Sequence, residues 1–439
     1  MPSNPPNLRV AVVGLGFVGL PLSLSYWQAG ADVLGAEIDP RLRAELSQGI
    51  SHHLEEDDGK PISAILKDAL ASGRYQLLAS AAEATAQADA TIVTVGIPHG
   101  PSGLDLGPLR AALAEVASAA PRGHLIILRS TVPPGTTRRD LYDLLQARGR
   151  SVGEDVFVAY CPERIAEGRA FQEFRGMPVI LGAFDPASEA RARSVIERVT
   201  HAGVATSDSV EAVELSKVIE NVQRDVNIAI AQELARTCEA GGIDVFEVIR
   251  LANTHSRVHL LEPGPGVGGF CLPLALSYFL PFAQEHAVAT PTLLAARSTN
   301  AKVPPLLAAR ALEQARPLAG GRPPRIAVFG LAMKDFSNDA RLSPAVEVCE
   351  HLIAEGAEVR AVDPAVPLQF SFQGQDPAWA VEGAHALLLL SRQEGLLTWL
   401  EDLSPLRTMH QGALIVDARN WLKDGAQELK PLGLGYWKI

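Results

Sequence analysis

The segment Gly14-Leu15-Gly16-Phe17-Val18-Gly19 follows an apolar run, Leu8–Val13, and opens a stretch, Leu20–Ala29, that reads as a helix. A Gly-x-Gly-x-x-Gly in that position constrains the fold more than any other feature of the 439-residue chain. Gly14 permits a tight turn and Gly16 lets the backbone approach a pyrophosphate. Gly19 lets the helix pack closely on the strand, with the helix amino terminus facing the phosphates. Phe17 and Val18 complete the cofactor loop. Glu37 ends the next apolar run, 23 positions after Gly14. An acid there accepts hydrogen bonds from both ribose hydroxyls and repels a 2′-phosphate, so the expected cofactor is NAD rather than NADP. Asp39 either shares the ribose role or caps the helix that starts near Pro40, and both readings stay open.

The runs Leu8–Val13, Asp32–Ala36, Ala90–Val95, His124–Leu128, Val156–Tyr160 and Pro178–Leu181 read as strands separated by helical stretches such as Leu109–Ala119. This alternation predicts a parallel, doubly wound α/β sheet. From Ser209 to Ala252 the texture changes to long helix. Leu215, Val218, Ile219, Val222, Val226, Ile230 and Leu234 recur at three- and four-residue steps. Gly241-Gly242 breaks the run and Asp244 can cap the next helix. Glu262–Pro273 (EPGPGVGGFCLP) reads as loop, Thr292–Ala315 as helix, and Pro317–Pro324 (PLAGGRPP) as a linker. Strands at Arg325–Phe329, Val359–Val362, Ala386–Leu390 and Ala413–Val416, with helices such as Ala345–Glu355 between them, form a second α/β unit. The expected architecture is two doubly wound Rossmann-like domains joined by a long central helix region, with divisions at 1–200, 201–316 and 317–439.

Composition narrows the function. The net charge of −11 argues against a broad nucleic-acid-binding surface. No apolar run approaches the ~20 residues that span a bilayer, so no membrane role is expected. Met1–Val10 is short, polar and proline-rich, with no signal-peptide core. Cys161, Cys238, Cys271 and Cys349 lie far apart, which excludes a disulfide scaffold and a local zinc knuckle. A cytoplasmic protein with reduced thiols is the default. His52-His53 with Glu55-Glu56-Asp57-Asp58 reads as a solvated polar loop, because adjacency alone does not supply converging metal ligands. No metal is expected.

Two features carry further chemistry. Cys271 lies in Gly264-Pro265-Gly266-Val267-Gly268-Gly269-Phe270-Cys271, where dense glycine favours close backbone approach and an accessible thiol. A thiolate there could attack an aldehyde, and the thiohemiacetal could surrender a hydride. The other three cysteines read as small buried hydrophobes. Lys217 and Asn221 lie four apart and share a helix face. Lys217 is a solvated lysine or a group that stabilises a developing alkoxide, and spacing alone favours the first.

Many motifs in order resemble one family, the nucleotide-sugar 6-dehydrogenases of the UDP-glucose/GDP-mannose dehydrogenase type. They are GLGFVGLPLS (Gly14–Ser23), STVPPGTT (Ser130–Thr137), YCPERIAEG (Tyr160–Gly168), ELSKVIENVQRDVNIAIAQELA (Glu214–Ala235), NTHSRVHLLEPGPGVGGFC (Asn253–Cys271), GLAMKDFSNDARLSPA (Gly330–Ala345), VDP (Val362–Pro364) and DARNW (Asp417–Trp421). The NTHSRV, PGPGVGG and RDVNIA pieces are most similar to the UDP-N-acetylhexosamine branch. The resemblance implies a four-electron oxidation of a UDP-sugar at C6 to the uronate with two NAD, for polysaccharide or glycoconjugate synthesis. In it the alcohol becomes an aldehyde, then a cysteine thiohemiacetal, then a thioester that water hydrolyses. It implies Cys271 as the nucleophile and Lys217 with Asn221 around the C6 oxygen. Thr131 would position the water and Glu163 would assist proton transfer. It also places Gly268, Lys334 and Arg419 near the UDP-sugar, gives Arg257 a reach into a neighbouring subunit's site, and implies a homodimer or higher oligomer formed through the central helix.

The chain departs from the pattern at four places. Ala275 stands where the family usually has an acid four positions after the cysteine. Phe270 replaces the His of the N-acetylhexosamine branch, Arg129 the Glu before STVPPGT, and Ile97 a Thr. Loss of an acid that orients water should slow thioester hydrolysis more than hydride transfer, and Arg129 should depress nearby carboxylate and thiol pKa values. The alternatives are therefore a partial or altered oxidation, and a nucleotide-sugar-binding protein with little turnover.

Overall fold

The computed structural model describes residues 8–51, 53–100, 103–166, 168–422 and 425–439. They form two compact units, residues 1–220 with 277–287, and residues 221–276 with 288–439. The helix Val210–Gly241 starts in the first and ends in the second.

The first unit is built on eight strands: β1 (Arg9–Val13), β2 (Asp32–Ala36), β3 (Tyr75–Leu78), β4 (Ala90–Val93), β5 (His124–Leu128), β6 (Val156–Tyr160), β7 (Val179–Ala183) and β8 (Val204–Ser207). Their order is β8-β7-β6-β5-β4-β1-β2-β3. The central 3-2-1-4-5-6 order is the doubly wound dinucleotide-binding arrangement, with its crevice at the carboxyl ends of β1 and β4. Side chains alternate between two buried layers, as a sheet covered on both faces requires. Val10 and Val12 enter one with Leu20 and Leu24, and Ala11 and Val13 enter the other with Leu109 and Leu113. The sheet is not wholly parallel, because β7 runs antiparallel to β6. The chain turns back after β6 through the short helix Ala170–Gly176 instead of making a full crossover.

In the second unit the strands are β9 (Arg325–Phe329), β10 (Glu358–Val362), β11 (Gln373–Gly374), β12 (Ala386–Leu389), β13 (Leu414–Asp417) and β14 (Gly435–Lys438), in the order β11-β10-β9-β12-β13-β14, all parallel. The 3-2-1-4-5-6 order is thus repeated. Val328 and Leu388 pack with Leu307, Ala311 and Leu352 on one face, and Phe329 and Leu389 pack with Leu396 and Leu406 on the other. The helix Val303–Ala319 carries Pro317 in its last turn and ends on Gly320 in a left-handed conformation. The expected linker at 317–324 is therefore helix for its first three residues. Gly320 without a Cβ accepts the positive φ that stops the helix, which is a stronger terminator than a proline one turn earlier.

The long helix is continuous from Val210 to Gly241, and Asp244 caps Val245–Ala252 by accepting the Phe246 N–H at 2.9 Å. Of its apolar series, Val218 and Val222 are buried, whereas Ile219 and Ile230 are 40% and 49% exposed. No helix among the described residues is long and apolar enough to cross a membrane. The four cysteines are free, three buried and Cys271 exposed.

Candidate active site

The cofactor loop has the strain and spacing its sequence implies. Gly14 has φ +89° and donates its N–H to the Ala36 carbonyl at 2.8 Å, which ties β1 to the end of β2. Thr94 Oγ1, at the end of β4, donates to the Gly14 carbonyl at 2.7 Å. A Cβ on Gly19 would collide with the Gly14 carbonyl oxygen and Thr94 Oγ1, whereas one on Gly16 would meet nothing within 4 Å. Gly19 is thus fixed by packing, and the space beside Gly16 is open to a phosphate. Glu37 is 7% exposed. Its Oε2 accepts the Leu15 N–H at 2.8 Å and its Oε1 the Asp39 N–H at 2.9 Å. A cleft of ≈ 510 Å³ is lined by Gly14, Gly16, Phe17, Val18 and Glu37, with Thr94, Val95 and Ala112 opposite. Mostly small apolar walls, the acids Glu37 and Glu115 and the glycine-loop backbone suit an adenosine diphosphate moiety, so the residues present fit NAD.

Two expectations here need correction or choice. Asp39 caps the helix Pro40–Ser47, its Oδ1 accepting the Arg41 N–H at 2.8 Å. The Asp-Pro pair places that carboxylate over the first turn, so the structure gives it the capping role. The polar run at 55–58 is solvated only in part: Glu56 and Asp58 are exposed, whereas Glu55 and Asp57 are engaged by the fold. Glu55 is 3% exposed and accepts the Gly168 and Ala170 N–H groups, and Asp57 pairs with Arg175, which holds its carboxyl below the ordinary range. Tertiary donors more than 100 residues away decide this, which adjacency does not show. His52 lies outside the described residues. His53 stacks on Phe17 with centroids 4.6 Å apart and planes 6° apart, a contact no motif signals. Among the described residues no group of three His, Cys, Asp or Glu is placed to hold a metal.

Thr131, Glu163 and Lys217 belong to the first unit. Thr131 follows β5, and its neighbour Ser130 donates to the Val95 carbonyl at 2.7 Å. Arg129 is buried against Glu163 with a 2.6 Å ion pair. Arg129 pulls the nearby thiol of Cys161 down, as expected, but not enough to leave it below its ordinary range. Burial outweighs the guanidinium there and pushes that thiol up. Glu214, missed as a site residue, stands one helical turn before Lys217. Its carboxylate accepts the Gly135 and Thr137 N–H groups and the Thr137 hydroxyl, the last at 2.6 Å. It fastens the STVPPGTT loop to the helix that bears Lys217. Its place in the ELSK motif is the only signal the sequence offered.

Asn221, Arg257, Gly268, Cys271, Lys334 and Arg419 belong to the second unit. The loop leading to Cys271 is held by amide side chains. Asn227 donates to the His259 carbonyl at 2.7 Å, Asn253 accepts the Leu260 N–H at 2.7 Å, and Gln232 donates to the buried Gly264 carbonyl at 3.0 Å. Gly269 donates to the Leu342 carbonyl at 3.2 Å, and a Cβ on Gly268 would collide with Leu342 and Pro344. Phe270 lies under Arg341, 5.2 Å from guanidinium carbon to ring centre. A Cβ on Gly264 would sit 3.0 Å from Arg419 Nη1, and Arg419 donates to Asp335, the neighbour of Lys334, at 2.7 Å. The structure thus gathers the glycine loop, Arg419 and the Lys334 segment. Arg257 is exposed, and Ala275 is buried where an acid was expected. Leu272 and Pro273, expected as loop, already belong to the helix Leu272–Glu285.

A dinucleotide cleft, a second nucleotide-type sheet and an exposed cysteine on a glycine loop define an NAD-dependent nucleotide-sugar dehydrogenase. The comparisons agree over nearly the whole chain. The NAD binding domain of the UDP-glucose/GDP-mannose dehydrogenase family matches residues 8–200, its central domain 211–302 and its UDP binding domain 327–424. The chain belongs to this family. It is 32% identical to a UDP-N-acetyl-D-mannosamine dehydrogenase of Methanocaldococcus jannaschii, with 95% of each chain covered. It is also 32% identical to an NDP-N-acetyl-D-galactosaminuronic acid dehydrogenase of Ralstonia nicotianae, covering 93% of this chain and 95% of that one. A solved UDP-D-ManNAc dehydrogenase from Pyrococcus horikoshii superposes with a TM-score of 0.88 at 32% identity, over 98% of this chain and 99% of that one.

Proposed function

We propose that the protein oxidises C6 of a UDP-N-acetylhexosamine to the uronate, with UDP-N-acetylmannosamine as the first substrate to try. The observation that carries the reading is Cys271, the one exposed cysteine of the four, on a glycine loop pinned against Arg419 and the 333–344 segment. NAD, when bound, accepts one hydride at each of the two oxidations. Lys217 and Asn221 stabilise the negative charge that develops on the C6 oxygen. The Cys271 thiolate adds to the aldehyde carbon to give a thiohemiacetal, whose oxidation leaves a thioester. Water, positioned by Thr131 with Glu163 close by, displaces the thiolate and releases the acid. Gly14, Gly16, Phe17, Val18, Gly19 and Glu37 hold the dinucleotide, and Gly268, Lys334 and Arg419 hold the UDP-sugar. Residues 1–200, 201–316 and 317–439 then divide as cofactor domain, dimerising helix region with the cysteine loop, and UDP-sugar domain. The free thiols suit a reducing, cytoplasmic setting, and the uronate would feed polysaccharide or glycoconjugate synthesis.

The burial of Ala275 favours one second reading, an oxidation that stops short of the acid because no carboxylate at that position helps handle water. NADH formed per mole of sugar, with NAD in excess, separates the two. UDP-N-acetylmannosamine, UDP-N-acetylglucosamine, UDP-N-acetylgalactosamine and UDP-glucose are the substrates to compare. Two NADH per sugar with any of them supports the uronate, one supports the shortened oxidation, and none overturns both. In the first case Cys271→Ser should lower steady-state NADH formation by at least roughly 10³-fold, the scale of losing a nucleophile.

A further inference from the structure

The end of β5 carries a buried ion pair for which the reaction has no obvious use. The Arg129 and Glu163 side chains are 4% and 10% exposed. Arg129 Nε and Nη2 lie 2.8 and 2.6 Å from Glu163 Oε2. Its Nη1 donates to Cys161 Sγ at 3.2 Å, and the guanidinium carbon lies 5.7 Å from the Phe174 ring centre. Tyr26, fully buried, completes the titratable groups around it. The other carboxylate oxygen, Glu163 Oε1, accepts the Arg164 N–H at 2.7 Å and the Ile165 N–H at 2.9 Å. An ionised carboxylate offers about four lone-pair sites, and the protein fills three of them with hydrogen bonds from the Arg129 Nε and the Arg164 and Ile165 N–H groups, with Nη2 close against Oε2 as well. The carboxylate is thus committed chiefly to groups of its own chain.

Resting on the dehydrogenase reaction proposed above, we infer that Arg129 is a positioning residue that holds the Glu163 carboxylate in place against its own backbone. Glu163 accordingly orients backbone in this chain rather than relaying a proton in the reaction. The pair braces the end of β5, two residues before Thr131, against the 163–165 turn that follows β6. The strut depends on the cation at position 129, since a carboxylate there could not pair with Glu163.

The test is the pH dependence of kcat for NADH formation from UDP-N-acetylmannosamine in wild type, Arg129→Gln, Arg129→Lys, Glu163→Gln and the Arg129→Gln/Glu163→Gln double variant. Each neutralising variant should lose on the order of 10–100-fold in kcat, the scale of a small misplacement. The pH profile should keep its shape and midpoints, the double variant should be no slower than Arg129→Gln, and Arg129→Lys should recover part of the rate. Loss of a limb of the profile in Glu163→Gln, with that limb kept in Arg129→Gln, overturns the inference. If wild type turns over no nucleotide sugar, the proposed reaction falls and the strut is judged on urea unfolding of the same variants. Losses that fail to add in the double variant uphold it, and additive losses overturn it.

Discussion

Glu214 and His124 are both buried in the first unit and pull stability in opposite directions with pH. Burial pushes the Glu214 carboxyl up to about 7, against the hydrogen bonds from Thr137 and Gly135. Between its ordinary 4.5 and 7 the folded protein keeps a proton that the unfolded chain has released, so this group's contribution falls as pH rises. Burial pushes the His124 imidazole down to about 4, so as pH falls from 6.5 the unfolded chain takes up a proton that the folded one refuses. That contribution is lost toward acid. Each shift spans about 3 kcal/mol, and from 4.5 to 6.5 the two nearly cancel. Urea unfolding across this range should show Glu214→Gln losing stability toward acid more steeply than wild type. His124→Asn should instead lose it toward neutral pH. Parallel curves for the three proteins would contradict the assignment. At the same scale, Gly19→Ala should weaken NADH binding by at least about 10-fold by fluorescence titration. Its Cβ has no room against Gly14 and Thr94, and the helix start must shift away from the phosphate site.

Each sheet opens on the same device. Gly14 and Gly330, with φ +89° and +85°, end β1 and β9 and donate to Ala36 and Val362 at the ends of β2 and β10. Glu37 accepts the Leu15 N–H, and Asp363 accepts the Leu331 and Ala332 N–H groups. Asp363 also takes the Ala365 and Val366 N–H groups and the Gln393 amide, so its carboxylate is spent on the loop itself. The glycine repeat marks the first device plainly, whereas the second keeps only one glycine and was legible only through the GLAMKDFS and VDP motifs. Edge strands were harder still. Tyr75–Leu78 and Val204–Ser207 are four residues each and only partly buried, which leaves little apolar pattern to read. The cysteine loop read as irregular because its hydrogen bonds go to side chains of distant helices. Gln232→Leu should therefore strand the Gly264 carbonyl and cost about 1–3 kcal/mol in urea unfolding. A loss within error of zero would show that the amide does not hold the loop.

For the whole molecule, repetition of the 3-2-1-4-5-6 order puts a nucleotide-type crevice in each unit. One helix, Val210–Gly241, belongs to both. Ile219 and Ile230 lie eleven residues apart, three helical turns, and so share a face that this chain leaves open. In the helix-mediated dimer proposed above, a second copy of the chain would cover these two side chains. Ile230→Glu should then raise the dimer dissociation constant by at least about 100-fold, since burying an unpaired carboxylate costs several kcal/mol. Size exclusion with light scattering reads this directly, and a wild-type protein of monomer mass at all concentrations would refute the dimer.

The sequence by itself determined the strand–loop–helix cofactor motif, the alternation that forces doubly wound sheets, the helix caps and the isolation of Cys271 among glycines. These are local properties, set by steric freedom at glycine and by apolar periods of 2 and 3.6 residues. Only the tertiary structure decided which charges are neutralised. Asp57 finds Arg175, Glu55 finds the 168–170 backbone, Glu214 finds the Thr137 turn and Arg129 finds Glu163. Such pairings join residues tens of positions apart, and burial sets their strength, so no spacing along the chain encodes them.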